Sequence, residues 1–314
     1  MALLKGRLEV RPLREDDTDA VVAFYEGARR ADPTVGGLSA EGWRRFLAQP
    51  VNRGGRDFRV AELEGEVVAV VTSSLRDREH PVIRHFRLIV APAHRRRGIG
   101  SEVLRSLVEL DPPGTGIVLQ ALCPEEWTAG AAFLTARGFR CVESELEMTY
   151  EAPALEPTAC GKEVTVERAS EPAAFGSEVA SIHNHAYAGT LSFVPYSGEE
   201  MSQLLSGGAE LWIASSGGRL VGFCHLEGEP EGVWLESVAV EPSWRGRGIG
   251  MCLTSQALAA AGVGEGHPAR LTVTSDNLPA RALYRRLGFV DTHETRRFRA
   301  GRDEVSAHLA STRG

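Results

Sequence analysis

The feature that most constrains this chain is that it repeats itself. Val90-Ala91-Pro92-Ala93-His94-Arg95-Arg96-Arg97-Gly98-Ile99-Gly100 in the first half recurs as Val240-Glu241-Pro242-Ser243-Trp244-Arg245-Gly246-Arg247-Gly248-Ile249-Gly250 in the second. Gly138-Phe139 recurs at the same 150-residue offset as Gly288-Phe289. One R-x-x-G-x-G string arises easily by chance. Two copies, each with a proline three residues before the arginine and each followed at one fixed spacing by Gly-Phe, identify a duplicated domain. The 314 residues are enough for two cores. The expected domains are 1–151 and 162–314. Residues 152–161, with Pro153 and Pro157 and no apolar period, are expected to form a linker.

The apolar pattern predicts the same order of elements in each half: a strand, two helices, a hairpin, a strand, a helix, a strand and a helix. In the first half these are Leu8–Leu13, Asp17–Arg30, Ser39–Gln49, Phe58–Leu63 with Glu66–Leu75, Ile83–Val90, Gly98–Leu110, Gly116–Leu122 and Glu126–Arg137. A final strand pair is expected over Phe139–Tyr150. In the second half they are Glu163–Arg168, Glu171–Ala188, Glu199–Leu205, Leu211–Ser215 with Arg219–Glu227, Val233–Val240, Gly248–Ala261, Arg270–Thr274 and Pro279–Leu287. Alternation of this kind predicts an α/β fold with helices on both faces of a sheet.

Composition narrows the function classes. The net charge is −7, and it divides as about −1 before residue 151 and −6 after it. That balance disfavours nucleic acid as a partner. No apolar run reaches the roughly 18 residues of a membrane span. The charged start (Lys5, Arg7, Glu9) is unlike a secretory signal, so a cytoplasmic location is expected. The five cysteines (Cys123, Cys141, Cys160, Cys224, Cys252) show no C-x-x-C spacing. They are expected to be reduced thiols, and no metal site is expected. His183 and His185 stand two apart, which on a helix puts them on different faces and makes a poor metal pair.

The repeated loop has a physical purpose. It joins a strand to an amphipathic helix, and the first N–H groups of a helix lack internal partners and carry partial positive charge. Glycines let a ligand approach that backbone, and the arginines add charge. The loop is therefore a candidate phosphate or pyrophosphate cradle. It is neither a P-loop nor a G-x-G-x-x-G dinucleotide fingerprint.

On these residues each half resembles the GNAT (GCN5-related N-acetyltransferase) superfamily. The second half resembles it most fully, with Arg245–Gly250, Asn277, Leu283-Tyr284 and Gly288-Phe289. The resemblance implies two tandem domains, each a mixed, mostly antiparallel twisted sheet flanked by helices. It implies acetyl-CoA, or another acyl-CoA, as co-substrate. In the second half the cofactor would lie on Val238, Val240, Arg245, Gly246, Arg247, Gly248, Ile249, Gly250 and Asn277. In the first it would lie on Val90, Arg95, Arg96, Arg97, Gly98, Ile99 and Gly100. Two-domain chains of this length include mycothiol synthase and its relatives, which the segment Asn184–Glu200 also resembles.

The resemblance implies Tyr284 as general acid to the departing sulfur and Glu236 as the base for the amine, with His225 as a rival base. Subtracting 150 maps Glu236, Asn277 and Tyr284 onto Phe86, Trp127 and Leu134. The first domain is thus expected to keep the cradle and lack the chemistry. The expected activity is acetyl transfer to a primary amine of a small molecule or peptide, carried out by the second domain. The alternatives are a non-catalytic acyl-CoA sensor and a mycothiol synthase-like enzyme. A tRNA-dependent transferase is disfavoured by the acidic charge. The chain is expected to be a monomer with an internal pseudo-dimer, or a homodimer.

Overall fold

A computed structural model describes residues 7–77, 81–151, 153–191 and 193–311. Lys5 and the rest of residues 1–6, used above to judge the N-terminus, lie outside the described residues. In chain order the first repeat runs β1 (Leu8–Pro12), α1 (Thr18–Ala31), α2 (Ala40–Ala48), β2 (Arg59–Leu63), β3 (Glu66–Arg76), β4 (Ile83–Val90), α3 (Ile99–Val108), β5 (Val118–Pro124), α4 (Thr128–Thr135) and β6 (Arg140–Tyr150). The second runs β7 (Thr165–Arg168), α5 (Gly176–Tyr187), α6 (Gly198–Leu205), β8 (Glu210–Ser216), β9 (Arg219–Glu229), β10 (Gly232–Val240), α7 (Ile249–Ala260), β11 (Ala269–Thr274), α8 (Leu278–Leu287), β12 (Val290–Gly301) and α9 (Arg302–Ser311).

The chain forms two compact units, and they do not follow the halves of the sequence. Unit 1 is Met1–Glu143 with Arg296–Gly314, and unit 2 is Ser144–Thr295. In unit 1 the strands run β1-β2-β3-β4-β5 and then the second half of β12; in unit 2 they run β7-β8-β9-β10-β11 and then the second half of β6. Each repeat therefore gives its last strand to the other unit. In each unit the pair β4–β5, or β10–β11, is parallel, and the hairpin pairs are antiparallel.

This exchange was not visible in the sequence. Phe139–Tyr150, expected as a strand pair, contributes one long strand. The run Val290–Gly301 is also a strand, although its centre, Glu294-Thr295-Arg296-Arg297, hides the alternation that would mark one. Its end still carries core residues. Phe298 and Ala300, with Val305 and Leu309 of α9, pack into the unit 1 core beside Ile99, Val103, Leu104 and Leu107 of α3.

Helices cover both faces of each sheet. In unit 1, α3 and α9 pack on one face, while Val21, Phe24 and Trp43 of α1 and α2 close the other over Val60, Val70 and Ile89. In unit 2, α7 and α8 pack over Leu235, Leu271 and Val273, and α5 and α6 pack over Ile213, Phe223 and Ala239. The starts of α5 and α6 come together because both are glycine. A Cβ on Gly176 would meet the Gly198 carbonyl oxygen at 2.6 Å.

The expected linker is a strap on unit 2. Leu155 is buried in that core, Tyr150 Oη donates to the Pro153 carbonyl (2.7 Å), and the Thr158 N–H donates to Ser255 Oγ (2.9 Å). Cys160 is disulfide-bonded to Cys252 of α7, which corrects the expectation of five reduced thiols. The partners are 92 residues apart, so no local spacing announces them. No described helix is long and apolar enough to cross a membrane.

Candidate active site

The two glycine loops share one geometry. Arg245 Nε donates to the Val240 carbonyl at 3.1 Å, and Arg95 Nε donates to the Val90 carbonyl at 3.1 Å. Gly248 (φ 79°) and Gly98 (φ 86°) hold the N-cap positions of α7 and α3 in the left-handed region, without a side-chain cap. A Cβ on either would meet only open space, so the first turn of each helix is bare toward a ligand. The side chains of Ile249 and Ile99 are buried in their cores, which leaves only their main-chain N–H groups for a ligand. Gly250 is a packing residue: a Cβ there would lie 3.0 Å from Leu283 Cδ1.

The loops differ in their charges. Arg95 is held by Asp32 at 2.8 Å, whereas Arg245 has no carboxylate partner among the described residues. Arg247 lies over the Trp244 ring at 4.5 Å and 3.9 Å from Glu163. Arg97 contacts His94 Nδ1 at 3.0 Å. Arg96 occupies a left-handed conformation (φ 64°) where the second loop has Gly246 (φ 77°). The bare helix start, the glycine cradle and an unpaired Arg245 fit the pyrophosphate of a coenzyme A.

The strand leading into each loop separates the units more sharply. The β3–β4 register is unbroken from Ala69↔Val90 to Arg76↔Ile83. The β9–β10 register slips between Leu235↔Leu226 and Ser237↔His225, leaving Glu236 as the extra residue of a bulge. The hairpin bulges, by contrast, occur in both units, at Ala61/Glu62 and Ala214/Ser215. Beyond the bulge the parallel pairing opens. β10 and β11 pair only at Val233↔Ala269 and Trp234↔Arg270, while β4 and β5 continue through Phe86↔Ala121. Unit 2 therefore has a split in its sheet directly before the glycine loop.

A cavity of about 230 Å³ lies on the α5–α6 side of that split. It brings Glu236 together with His225, His183, Tyr187 and Tyr196. Glu236 is open to solvent on one side. Partial desolvation of its carboxyl, and then the charge of Glu227, raise its pKa above the ordinary carboxylate value. His225 is 3% exposed, burial lowers its pKa, and its Nε2 has no hydrogen-bond partner among the described residues; Glu227 Oε1 is 3.8 Å away. Tyr187 Oη donates to the Val238 carbonyl at 3.3 Å, and burial pushes its phenol up to about 12. The His183 ring stands 4.7 Å from Tyr187 and 5.2 Å from Tyr196. Asn184 fixes this wall by clamping the main chain of Tyr196, donating to its carbonyl (2.9 Å) and accepting its N–H (3.0 Å).

Tyr284 lies outside the cavity lining. It is buried against Phe289, and burial raises its pKa strongly, with Tyr187 and Cys224 adding to the shift. Asn277 caps α8, the helix that carries Tyr284, by accepting the Ala280 N–H at 3.2 Å. Sequence reasoning gave it to the cofactor and missed this structural use. No sequence signal marks Tyr187, because only the fold shows its hydroxyl reaching β10. In unit 1 the three corresponding positions are filled. Phe86 is buried edge-on against Phe139 (5.7 Å), Leu134 is in the core, and Trp127 donates Nε1 to Thr34.

Comparison with known proteins agrees with this geometry. The acetyltransferase (GNAT) domain family matches residues 54–141 and 207–291, more than half of the chain. The chain is 34% identical over 131 residues to the N-alpha-acetyltransferase RimI of Mycobacterium tuberculosis, an alignment covering 40% of this chain and 65% of that protein. It is 27% identical over 221 residues to the mycothiol acetyltransferase of Tsukamurella paurometabola, covering 66% of this chain and 74% of the relative. In fold it is similar to a GCN5-related N-acetyltransferase from Sphaerobacter thermophilus (TM-score 0.72, 20% identity, 95% of this chain and 97% of the other). It is also similar to a tandem GNAT protein from the clavulanic acid biosynthesis pathway (TM-score 0.69, 19% identity, 94% and 99%). The chain belongs to the GNAT family of N-acetyltransferases, with the family's domain present twice.

Proposed function

We propose that unit 2 transfers an acetyl group from acetyl-CoA to the primary amine of a small molecule, and that unit 1 does no chemistry. The observation that carries this reading is the β10 bulge. It sets a carboxylate at a split in the sheet, beside a cavity and one strand-length from a bare phosphate loop, in one repeat only. Bound acetyl-CoA supplies the acetyl thioester. The α7 N–H groups and Arg245 hold its pyrophosphate. Glu236, with its raised pKa, takes a proton from the acceptor ammonium so that the nitrogen is free to bond to the acetyl carbon. As the carbon–sulfur bond breaks, Tyr284, protonated at neutral pH like any phenol, is the proton donor to the sulfur.

Titration calorimetry with acetyl-CoA tests the reading. Arg245→Glu, an exposed charge reversal, is expected to weaken binding at least about tenfold. Gly250→Asp, which crowds Leu283, is expected to abolish it. Undiminished binding in both variants would move the cofactor site to unit 1. Binding without acetyl transfer to any amine would favour a sensor, the reading supported by the intact loop of unit 1.

A further inference from the structure

The cavity beside Glu236 has a chemistry of its own, and it narrows the acceptor. Its shaft is apolar: Val179, Met201, Leu205 and Phe223 are buried, and Leu204 stands 43% exposed. Three rings, His183, Tyr187 and Tyr196, form one wall, packed on one another rather than splayed toward solvent. Polar groups gather at the β10 end, where Glu236, Ser237, Thr272 and His225 line the cavity. Glu227 adds a second negative charge close to both His225 and Glu236. His225 is buried, yet its Nε2 lacks a hydrogen-bond partner among the described residues. A buried polar atom of that kind is costly unless something pairs with it, and an amine entering the cavity is a group that can.

We propose that the acceptor is a primary amine on a compact, uncharged, apolar body of about one ring, its nitrogen delivered to the His225–Glu236 corner and its body lodged among Tyr187, Tyr196 and Met201. This inference rests on the acetyl-transfer reading and names its substrate class. Other amines fit the cavity badly. Among the described residues its lining has no arginine or lysine, so an acceptor bearing a carboxylate, such as an amino acid, finds no counter-charge there. It has one carboxylate, so the further ammonium groups of a polyamine would face apolar walls. A sugar amine would bury hydroxyls against Val179, Met201 and Leu205. The volume, about 230 Å³, lies below the roughly 300–1,000 Å³ of sites for drug-sized ligands.

The test measures release of free thiol from acetyl-CoA by the full chain. The acceptors are phenethylamine, isoamylamine, phenylalanine, glucosamine and spermidine. The expected result is a kcat/KM for phenethylamine or isoamylamine at least about tenfold above each of the other three. Leu204→Asp, a substitution at a half-exposed position that leaves the core intact, is expected to reverse the preference toward spermidine. His225→Phe is expected to raise KM for phenethylamine while leaving the heat of acetyl-CoA binding unchanged. A preference for glucosamine, spermidine or phenylalanine overturns the proposed acceptor class and leaves the acetyl-transfer reading standing. So does acetyl-CoA binding with no transfer to any of the five. Failure of the wild-type chain to bind acetyl-CoA overturns both.

Discussion

At the scale of single residues, the proposed chemistry rests on Glu236 and Tyr284, whose pKa values burial raises. As the proposed base Glu236 would act only when ionised, and its pKa is raised. The acid limb of kcat/KM is therefore expected above the ordinary carboxylate value of about 4.3, with activity falling as pH drops through it. A pH–rate profile of Glu236→Gln, at about 10²-fold lower rate and without that limb, checks the assignment. Tyr284→Phe is expected to lower kcat by about 10²-fold with little change in KM for acetyl-CoA. Since Tyr187 lines the cavity and Tyr284 does not, Tyr187→Phe is the control; an equal loss there would transfer the acid role to Tyr187. Glu236 and Tyr284 became candidates through the family resemblance, and their roles stand as proposals. The partnership of His225 with Glu236 was only half legible, because the bulge decides which β9 residue faces Ser237, and no sequence signal marks the bulge.

At the scale of elements, one strand behaves differently in two copies of the same motif. In β10 an extra residue splits the pairing to β11, and in β4 the regular register keeps the sheet closed. Phe86, the counterpart of Glu236, is a core residue. Phe86→Ala is therefore expected to cost about 3–5 kcal/mol of stability, read as a lowered denaturation midpoint, without reducing acetyl transfer per folded molecule. The opposite face of β4 carries His85, whose pKa burial lowers to about 4, helped by Arg76, Arg297 and Arg299; Gln120 Nε2 lies 3.1 Å from its Nδ1. Below pH 6.5 the unfolded imidazole binds a proton that the folded one refuses, so stability is lost as pH falls from about 6.5 toward 4. His183 and His225 share the direction of that shift. His85→Gln is expected to reduce, but not abolish, the slope of urea midpoint against pH in that window. A strand rich in β-forming residues, such as Ile83–Val90, was legible to the residue. β12 was not, because its charged centre is satisfied by partners within unit 1, such as Glu125 for Arg296 and Glu143 for Arg297.

At the scale of the whole molecule, the strand exchange decides what can be cut. A chain ending at Thr295 lacks Phe298, Ala300, Val305 and Leu309, which belong to the unit 1 core. Loss of protease resistance is expected in residues 7–143 of that truncation, measured by limited proteolysis, with 144–295 resistant for longer. Residues 1–151 expressed alone are expected to fail for the same reason, although the repeat boundary in the sequence suggests a clean cut there. Cys160→Ser opens a 92-residue covalent loop and is expected to lower stability by about 2–4 kcal/mol under oxidising conditions, with little effect in reductant. Duplication was the plainest signal in the sequence. The exchange left no trace there, since a strand reads the same whichever sheet receives it.

The exchange also bears on the order in which the chain is made. Synthesis proceeds from the N-terminus, and domains ordinarily fold as they emerge. Here the first-made unit lacks its closing strand until residues 296–311 leave the ribosome, whereas 144–295 are already complete. The later-made unit 2 can thus fold first, while unit 1 waits with an open sheet edge for residues 296–311.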